Sequence, residues 1–171
     1  LDEGEILPNT LIPDIPTQIS GYAPQNYDFS FDGAVPASSA LSRSLNIPSV
    51  LMLQQYSVTK FYEQLQKLKF RDVNRHPSNY GLSLILGGAE TNLWDLCRSY
   101  AYMSATLTNY TSTQDEFRSN ELANLNYDNA FVTNFGKPKR EKNVFSAGAI
   151  WHTFNAMKEV NRPEGDEAWR F

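Results

Sequence analysis

The chain has 171 residues, 41% apolar and 13% aromatic, which suits one domain with a real core and argues against disorder. Its 15 basic and 19 acidic residues leave a net charge of −4, which speaks against a generally basic nucleic-acid binder. No run of about 18 apolar residues occurs, so no bilayer-spanning helix is expected.

The opening LDEGEILPNT has neither a basic n-region nor an apolar h-region, so it does not read as a signal peptide. With no initiator Met and an end at EAWRF, the chain reads as a piece of something larger. Prolines 8, 13, 16, 24 and 36 crowd residues 1–36, removing donors and fixing φ. That segment is expected to be extended and to wrap a body, with at most a short strand at Thr17–Tyr22.

Residues 37–109 carry the helical signals. Pro36 suits the first turn of a helix running Ala37 to Leu45. Asn46-Ile47-Pro48 is expected to break it, because a residue before proline avoids the α region. Pro48 then opens a second helix. A third runs from Ser57 to about Phe70, with Val58, Phe61, Tyr62, Leu65 and Leu68 at i, i+3, i+4, i+7 spacing. RDVNRHPSN is a polar loop, and YGLSLILGGAE is an apolar run ending in a glycine pair. Thr91 is expected to cap a strong helix in which Leu93, Leu96, Cys97, Tyr100, Ala101, Ser104 and Leu107 form one stripe, widened by Trp94 and Tyr102, so that the helix is expected to be covered on most sides. Residues 110–143 are polar, with NAFVTNF as a candidate strand. Residues 144–171 hold a last helix, with Ile150, Trp151, Phe154 and Met157 on one face. The fold class expected is mainly α, with extended edges, and no internal repeat points to a solenoid.

Two serine motifs compete for chemistry. Ser57-Val58-Thr59-Lys60 has the Ser-x-x-Lys spacing by which some acyl-transferases build a nucleophile. A catalytic lysine must be desolvated to accept a proton, yet Lys60 shares the polar stripe of Gln64 and Lys67. Ser57 therefore reads as a helix cap. Ser44 and Asn46, in ALSRSLNIPSV, flank a helix break at which both can turn toward one cleft. The single cysteine, Cys97, is expected to be a small buried core residue. His76 and His152 have no metal-ligand company, so no metal and no cofactor is expected. Lys137–Lys142 reads as a solvated basic loop, and the sequon at Asn109 as idle.

The segment from Asp32 to Phe70, DGAVPASSALSRSLNIPSVLMLQQYSVTKFYEQLQKLKF, and NYGLSLILGGAETNLWDLCRSYAYMS resemble the transpeptidase domain of class A, bifunctional penicillin-binding proteins. ILPNTLIPDIPTQISGYAPQNYD resembles the stretch after the nucleophile helix in that family, and FNAMKEVNRPEGDEAWRF the approach to the Lys-Thr-Gly strand. The resemblance leaves out only residues 110–142 or so. It implies the helical part of an α/β, serine β-lactamase-like domain. Of the family's Ser-x-x-Lys, Ser-x-Asn and Lys-Thr-Gly motifs, only the middle one carries over, onto Ser44 and Asn46. SVTK comes after Ser-x-Asn rather than before it and so does not match the nucleophile. The other two motifs are expected before Leu1 and after Phe171.

The implied activity is D,D-transpeptidation, with the chain alone inactive. Implied partners are peptidoglycan stem peptides (a D-Ala-D-Ala donor and an amine acceptor), and β-lactams in the complete domain. The implied place is the periplasmic face of a bacterial inner membrane, anchored by the parent protein. Two other readings stand beside it: a non-catalytic module binding peptidoglycan or protein, and an independent hydrolase using Ser57 and Lys60.

Overall fold

The computed structural model describes residues 1–113, 116–118 and 140–160. Its first 36 residues run through turns and irregular stretches, and their paired part is an antiparallel ladder of β1 (Leu11–Asp14) with β2 (Gly33–Pro36). Ile12 pairs with Val35 and both are buried. The strand expected at Thr17–Tyr22 does not form. Ser20 and Gly21 both take positive φ, so the chain doubles back in a two-residue turn closed by a bridge between Ile19 and Tyr22.

Helices make up most of the rest: α1 (Ala37–Ser42), α2 (Asn46–Tyr56), α3 (Val58–Lys67), α4 (Pro77–Tyr80), α5 (Leu93–Thr113) and α6 (Ala147–Lys158). A 3-10 segment spans Gly81–Leu86, and β3 (Glu116–Arg118) pairs with β4 (Arg140–Lys142). The candidate strand NAFVTNF and residues 161–171 lie outside the described residues, as do Lys137–Lys139 of the basic run. α2 occupies the centre, touching β1, α1, α3 and the 3-10 segment, while α6 packs on α1 and α5. Leu53 of α2 joins Leu68, Phe70, Val73, Tyr80, Leu84 and Tyr102 in the larger core cluster. Val35, Ala40 and Leu45 form a smaller one.

Two helix ends use one device. At the end of α1 the Leu45 N–H donates to Ala40 O and the Ser44 N–H to Leu41 O, with Ser44 left-handed at φ 55°. At the end of α3 Phe70 donates to Leu65 O and Lys69 to Gln66 O, with Lys69 at φ 59°. Each is a Schellman cap, and each places its hydrophobic pair, Leu45 with Ala40 and Phe70 with Leu65, in the core. α1 therefore stops at Ser42, before the expected Leu45.

The next helix starts two residues earlier than proline alone suggests. Asn46 and Ile47 lie inside α2, and Pro48 falls in its first turn, where a missing N–H costs nothing.

Ser57 does occupy the N-cap position of α3, but at φ 89° and without a side-chain cap bond. The hydroxyl thus satisfies no helix N–H. Ser57→Ala is expected to change unfolding free energy by no more than about 0.5 kcal/mol, against about 1 kcal/mol for a working cap. Denaturant titration of the two chains checks this.

The largest departure is the rotation of α5. Asp95, Arg98, Ser99, Tyr102 and Thr106 are buried, while Leu93, Trp94, Leu96, Cys97 and Tyr100 are exposed. The helix is therefore not covered on most sides: the expected stripe faces out except at half-buried Leu107 and buried Tyr102, and Cys97 is not a core residue. An ion pair between Asp95 and Arg98 (3.3 Å) sets the orientation. Arg98 Nη2 donates to Leu68 O (3.0 Å) and to Lys69 O, the carbonyls at the end of α3. Asp95 accepts the Arg71 N–H (3.1 Å) and Asn92 Nδ2 (3.1 Å). Asn92, not Thr91, caps the helix, its Oδ1 accepting the Asp95 N–H at 2.8 Å. On α6, Ser146 Oγ accepts the Ala149 N–H, Ile150 is buried and Trp151 is exposed.

Candidate functional site

Ser44 and Asn46 stand on either side of Leu45, between α1 and α2. Ser44 is exposed and Asn46 is half-buried. Burial of Leu45, at 6% exposure, drives the corner inward and turns its two polar neighbours away from the core. The left-handed conformation that a Schellman cap normally gives to glycine is held here by Ser44, at a cost of order 1–3 kcal/mol.

The start of α2 closes the corner from the other side. Asn26 Oδ1 accepts the N–H groups of Asn46 (3.0 Å) and Ile47 (3.3 Å). Pro48 has no N–H, and the Ser49 N–H already reaches Leu45 O, so every orphan donor of the first turn has a place. Asn26 is 2% exposed, and its Nδ2 donates to Asp14 Oδ1 (2.7 Å) and Ser30 O (2.9 Å). Asp14, 1% exposed, accepts the Asp32 N–H through Oδ2 (3.0 Å). Asp32 in turn pairs with Arg43, directly before Ser44. Asn46 Nδ2 donates to Gln25 O at 2.7 Å. The extended segment is thereby bonded to both ends of the Ser44–Asn46 corner. In the sequence Asn26 is one asparagine of the proline-rich segment 1–36, with no motif around it to signal this role.

Ser57 and Lys60 make no comparable site. Lys60 is exposed, lies 3.8 Å from Glu3 and 3.6 Å from Glu5, and sits 5.5 Å from the centre of the Tyr56 ring. A solvent-exposed amine flanked by two carboxylates lacks the dry surroundings in which a lysine serves as a proton acceptor. The Tyr56 hydroxyl donates to Glu3 Oε1 (2.8 Å), and burial together with that bond raises its pKa.

His76 accepts the Ser78 N–H as the cap of α4, and His152 meets Trp151 edge-on at 5.0 Å. Among the described residues no group of three His, Cys, Asp or Glu is placed to hold a metal. A shallow groove of about 380 Å³ lies between β1 and α2 and is lined by Glu5, Ile6, Leu11, Leu51 and Met52 among others. Neither Ser44 nor Asn46 lines it. No helix among the described residues is long and apolar enough to cross a membrane.

No family model matches the chain. Among curated proteins, it is 32% identical to penicillin-binding protein 1C of Escherichia coli (strain K12) over 168 residues, 98% of this chain and 19% of that protein. It is 27% identical to penicillin-binding protein 1F of Bacillus subtilis (strain 168) over 162 residues, 94% of this chain and 21% of that protein. It is 32% identical to penicillin-binding protein 1B of Vibrio cholerae over 90 residues, 53% of this chain and 11% of that protein. The chain spans about a fifth of the length of the two relatives that it matches almost end to end. With similarity running through the proline-rich opening, the Ser44–Asn46 corner and the helices behind it, the chain belongs to the penicillin-binding proteins.

Proposed function

We propose that this chain is the helical part of a peptidoglycan D,D-transpeptidase domain with an α/β, serine β-lactamase-like fold, in which Ser44 and Asn46 are the Ser-x-Asn pair. The observation that carries the reading is Ser44 itself: an exposed hydroxyl held left-handed where a glycine would be cheaper, two residues from a tethered carboxamide. Lys69 shares this backbone conformation, so what distinguishes Ser44 is the pairing of its exposed hydroxyl with the Asn46 carboxamide two residues away.

A serine elsewhere in the protein attacks the penultimate D-Ala carbonyl of a stem peptide. An ester forms and the terminal D-Ala leaves as its amine. Ser44 passes a proton between the activating lysine, the nucleophile and that leaving amine. The carboxamide of Asn46 holds the lysine and the substrate amide in line. An amine from a neighbouring strand then takes the acyl group, and a β-lactam is trapped at the ester stage. Residues 1–36 serve as the wrapping segment, 37–109 as the helical core that bears the pair, 110–143 as a polar excursion, and 144–171 as the lead toward the Lys-Thr-Gly strand. The setting is the periplasmic face of a bacterial inner membrane, reached through the parent protein's anchor.

Mass spectrometry after exposure to a labelled penicillin tests this. The 171-residue chain is expected to form no covalent adduct, because acylation needs a nucleophile and oxyanion donors that it does not supply. The full-length protein is expected to form one. An adduct on Ser57 in the short chain favours the independent hydrolase, and no adduct in the full-length protein favours a binding module.

A further inference from the structure

We infer that Asn26 is a positioning residue for the Ser44–Asn46 pair, fixing where α2 begins and, through its neighbour Gln25, how the Asn46 carboxamide is turned. This rests on the proposal that Ser44 and Asn46 are the Ser-x-Asn pair. Asn26 acts from a different segment, twenty residues before Asn46, and touches none of the reacting groups.

Its side chain uses both ends. The oxygen accepts two N–H groups of α2, at Asn46 and Ile47, and the amide nitrogen donates to Asp14 and to Ser30 O. Only a primary amide meets both demands without changing protonation, since a carboxylate has no proton to donate and a hydroxyl carries only one. Asp14 is itself fixed by the Asp32 N–H, and β1 and β2 hold Asp14 opposite Gly33. The chain thus runs from a paired strand through two buried polar side chains to the first two residues of α2. Next to Asn26, the Gln25 carbonyl can only accept, so the atom of Asn46 facing it is Nδ2. The carboxamide oxygen is left for a donor on its other side, as required of a group that is to hold an ammonium. A shift of about 1 Å in such a group costs on the order of 10²-fold in rate.

The test uses the full-length protein, with rates expressed per penicillin-titratable site so that unfolded molecules do not count. Asn26→Ala is expected to slow acylation per site about 10- to 100-fold. Asn26→Asp supplies the readout that a merely structural role does not move. The new carboxyl faces Asp14, with Asp32, Arg43 and Asp28 the other charged groups around it. Two carboxylates in contact share one proton and titrate as a pair at raised pH. Below that titration the protonated group can donate to Asp14 and accept from α2, so the per-site rate approaches the parent's; above it the rate falls.

Unchanged per-site rates in both variants overturn the inference, even if the melting temperature drops. If Asn26→Ala does not fold, the pH profile of Asn26→Asp decides alone, a flat one being the overturning result. Ser44→Ala and Asn46→Ala run beside them. If those two also leave the rate intact, the Ser-x-Asn reading has failed; if they slow it and the position-26 variants do not, only the role of Asn26 has.

Discussion

In the full-length protein, Ser44→Ala and Ser44→Gly are both expected to slow penicillin acylation about 10²–10⁴-fold, the usual contribution of a positioned proton-transfer group. Their stabilities are expected to differ. Alanine keeps the left-handed strain of φ 55° while losing the hydroxyl, so Ser44→Ala stays within about 0.5 kcal/mol of the parent. Glycine relieves a conformation that costs an L-residue roughly 1–2 kcal/mol, partly offset by its greater freedom when unfolded. Ser44→Gly is then more stable by about 1 kcal/mol and as slow as alanine. Asn46→Ala is expected to fall in the same rate range, and to lose stability as well, because the Gln25 carbonyl loses its donor. Stopped-flow acylation and denaturant titration on the same preparations give both axes. A glycine variant that is both faster and more stable than alanine, or a rate untouched in either, removes Ser44 from the chemistry.

The second large effect lies in the fold. Asp95→Ala and Arg98→Ala are each expected to cost about 3–5 kcal/mol, the penalty for leaving one partner of a buried pair uncompensated. Both residues are almost fully buried, and Arg98 also serves the Leu68 and Lys69 carbonyls. The double variant is expected to cost less than the sum of the two, since neither charge is then stranded.

The pH dependence comes from the same contacts. Burial alone raises the pKa of Asp95, but the Arg71 N–H, the Asn92 amide and the charges of Arg98 and Arg71 outweigh it, and the net shift is downward. For Arg98, desolvation is the largest influence and lowers its pKa despite the Asp95 carboxylate; it stays protonated over the working range. A carboxyl with a depressed folded pKa stabilises fully above its unfolded value of about 3.9, and that contribution fades as pH falls through the folded value. Acid unfolding below about pH 4 is therefore expected to be shallower in Asp95→Asn than in the parent. Equal slopes contradict the assignment.

These two sites also mark where the sequence was legible. Helices α2 and α3, the absence of helix from the proline-rich opening and the break between α1 and α2 are readable from proline placement and apolar spacing, and the core positions Leu65 and Leu68 from the 3.6-residue rule. The orientation of α5 was not. A hydrophobic count assumes that apolar residues turn inward, whereas here the i,i+3 pair Asp95–Arg98 is pulled in by two helix-end carbonyls contributed from thirty residues away. No local pattern encodes that distance. The i,i+3 pair of opposite charges interrupting an apolar run was the available signal. Asn26 was invisible for a similar reason, because its four bonds go to Asp14, Ser30, Asn46 and Ile47, residues up to twenty-one positions away from it.

The rotation of α5 also hands the experimenter a tool. It brings the chain's one thiol, Cys97, to the surface in the midst of Leu93, Trp94, Leu96 and Tyr100, with Tyr100 stacked at 6.4 Å on Phe154 of α6. An apolar strip of this kind is where another surface tends to settle. Because the sulfhydryl sits in the strip rather than beside it, its alkylation rate becomes a gauge of coverage: a dilution series of the chain, or a comparison with the full-length protein, reads out how much of the population has that strip open to water, with no label needed anywhere else.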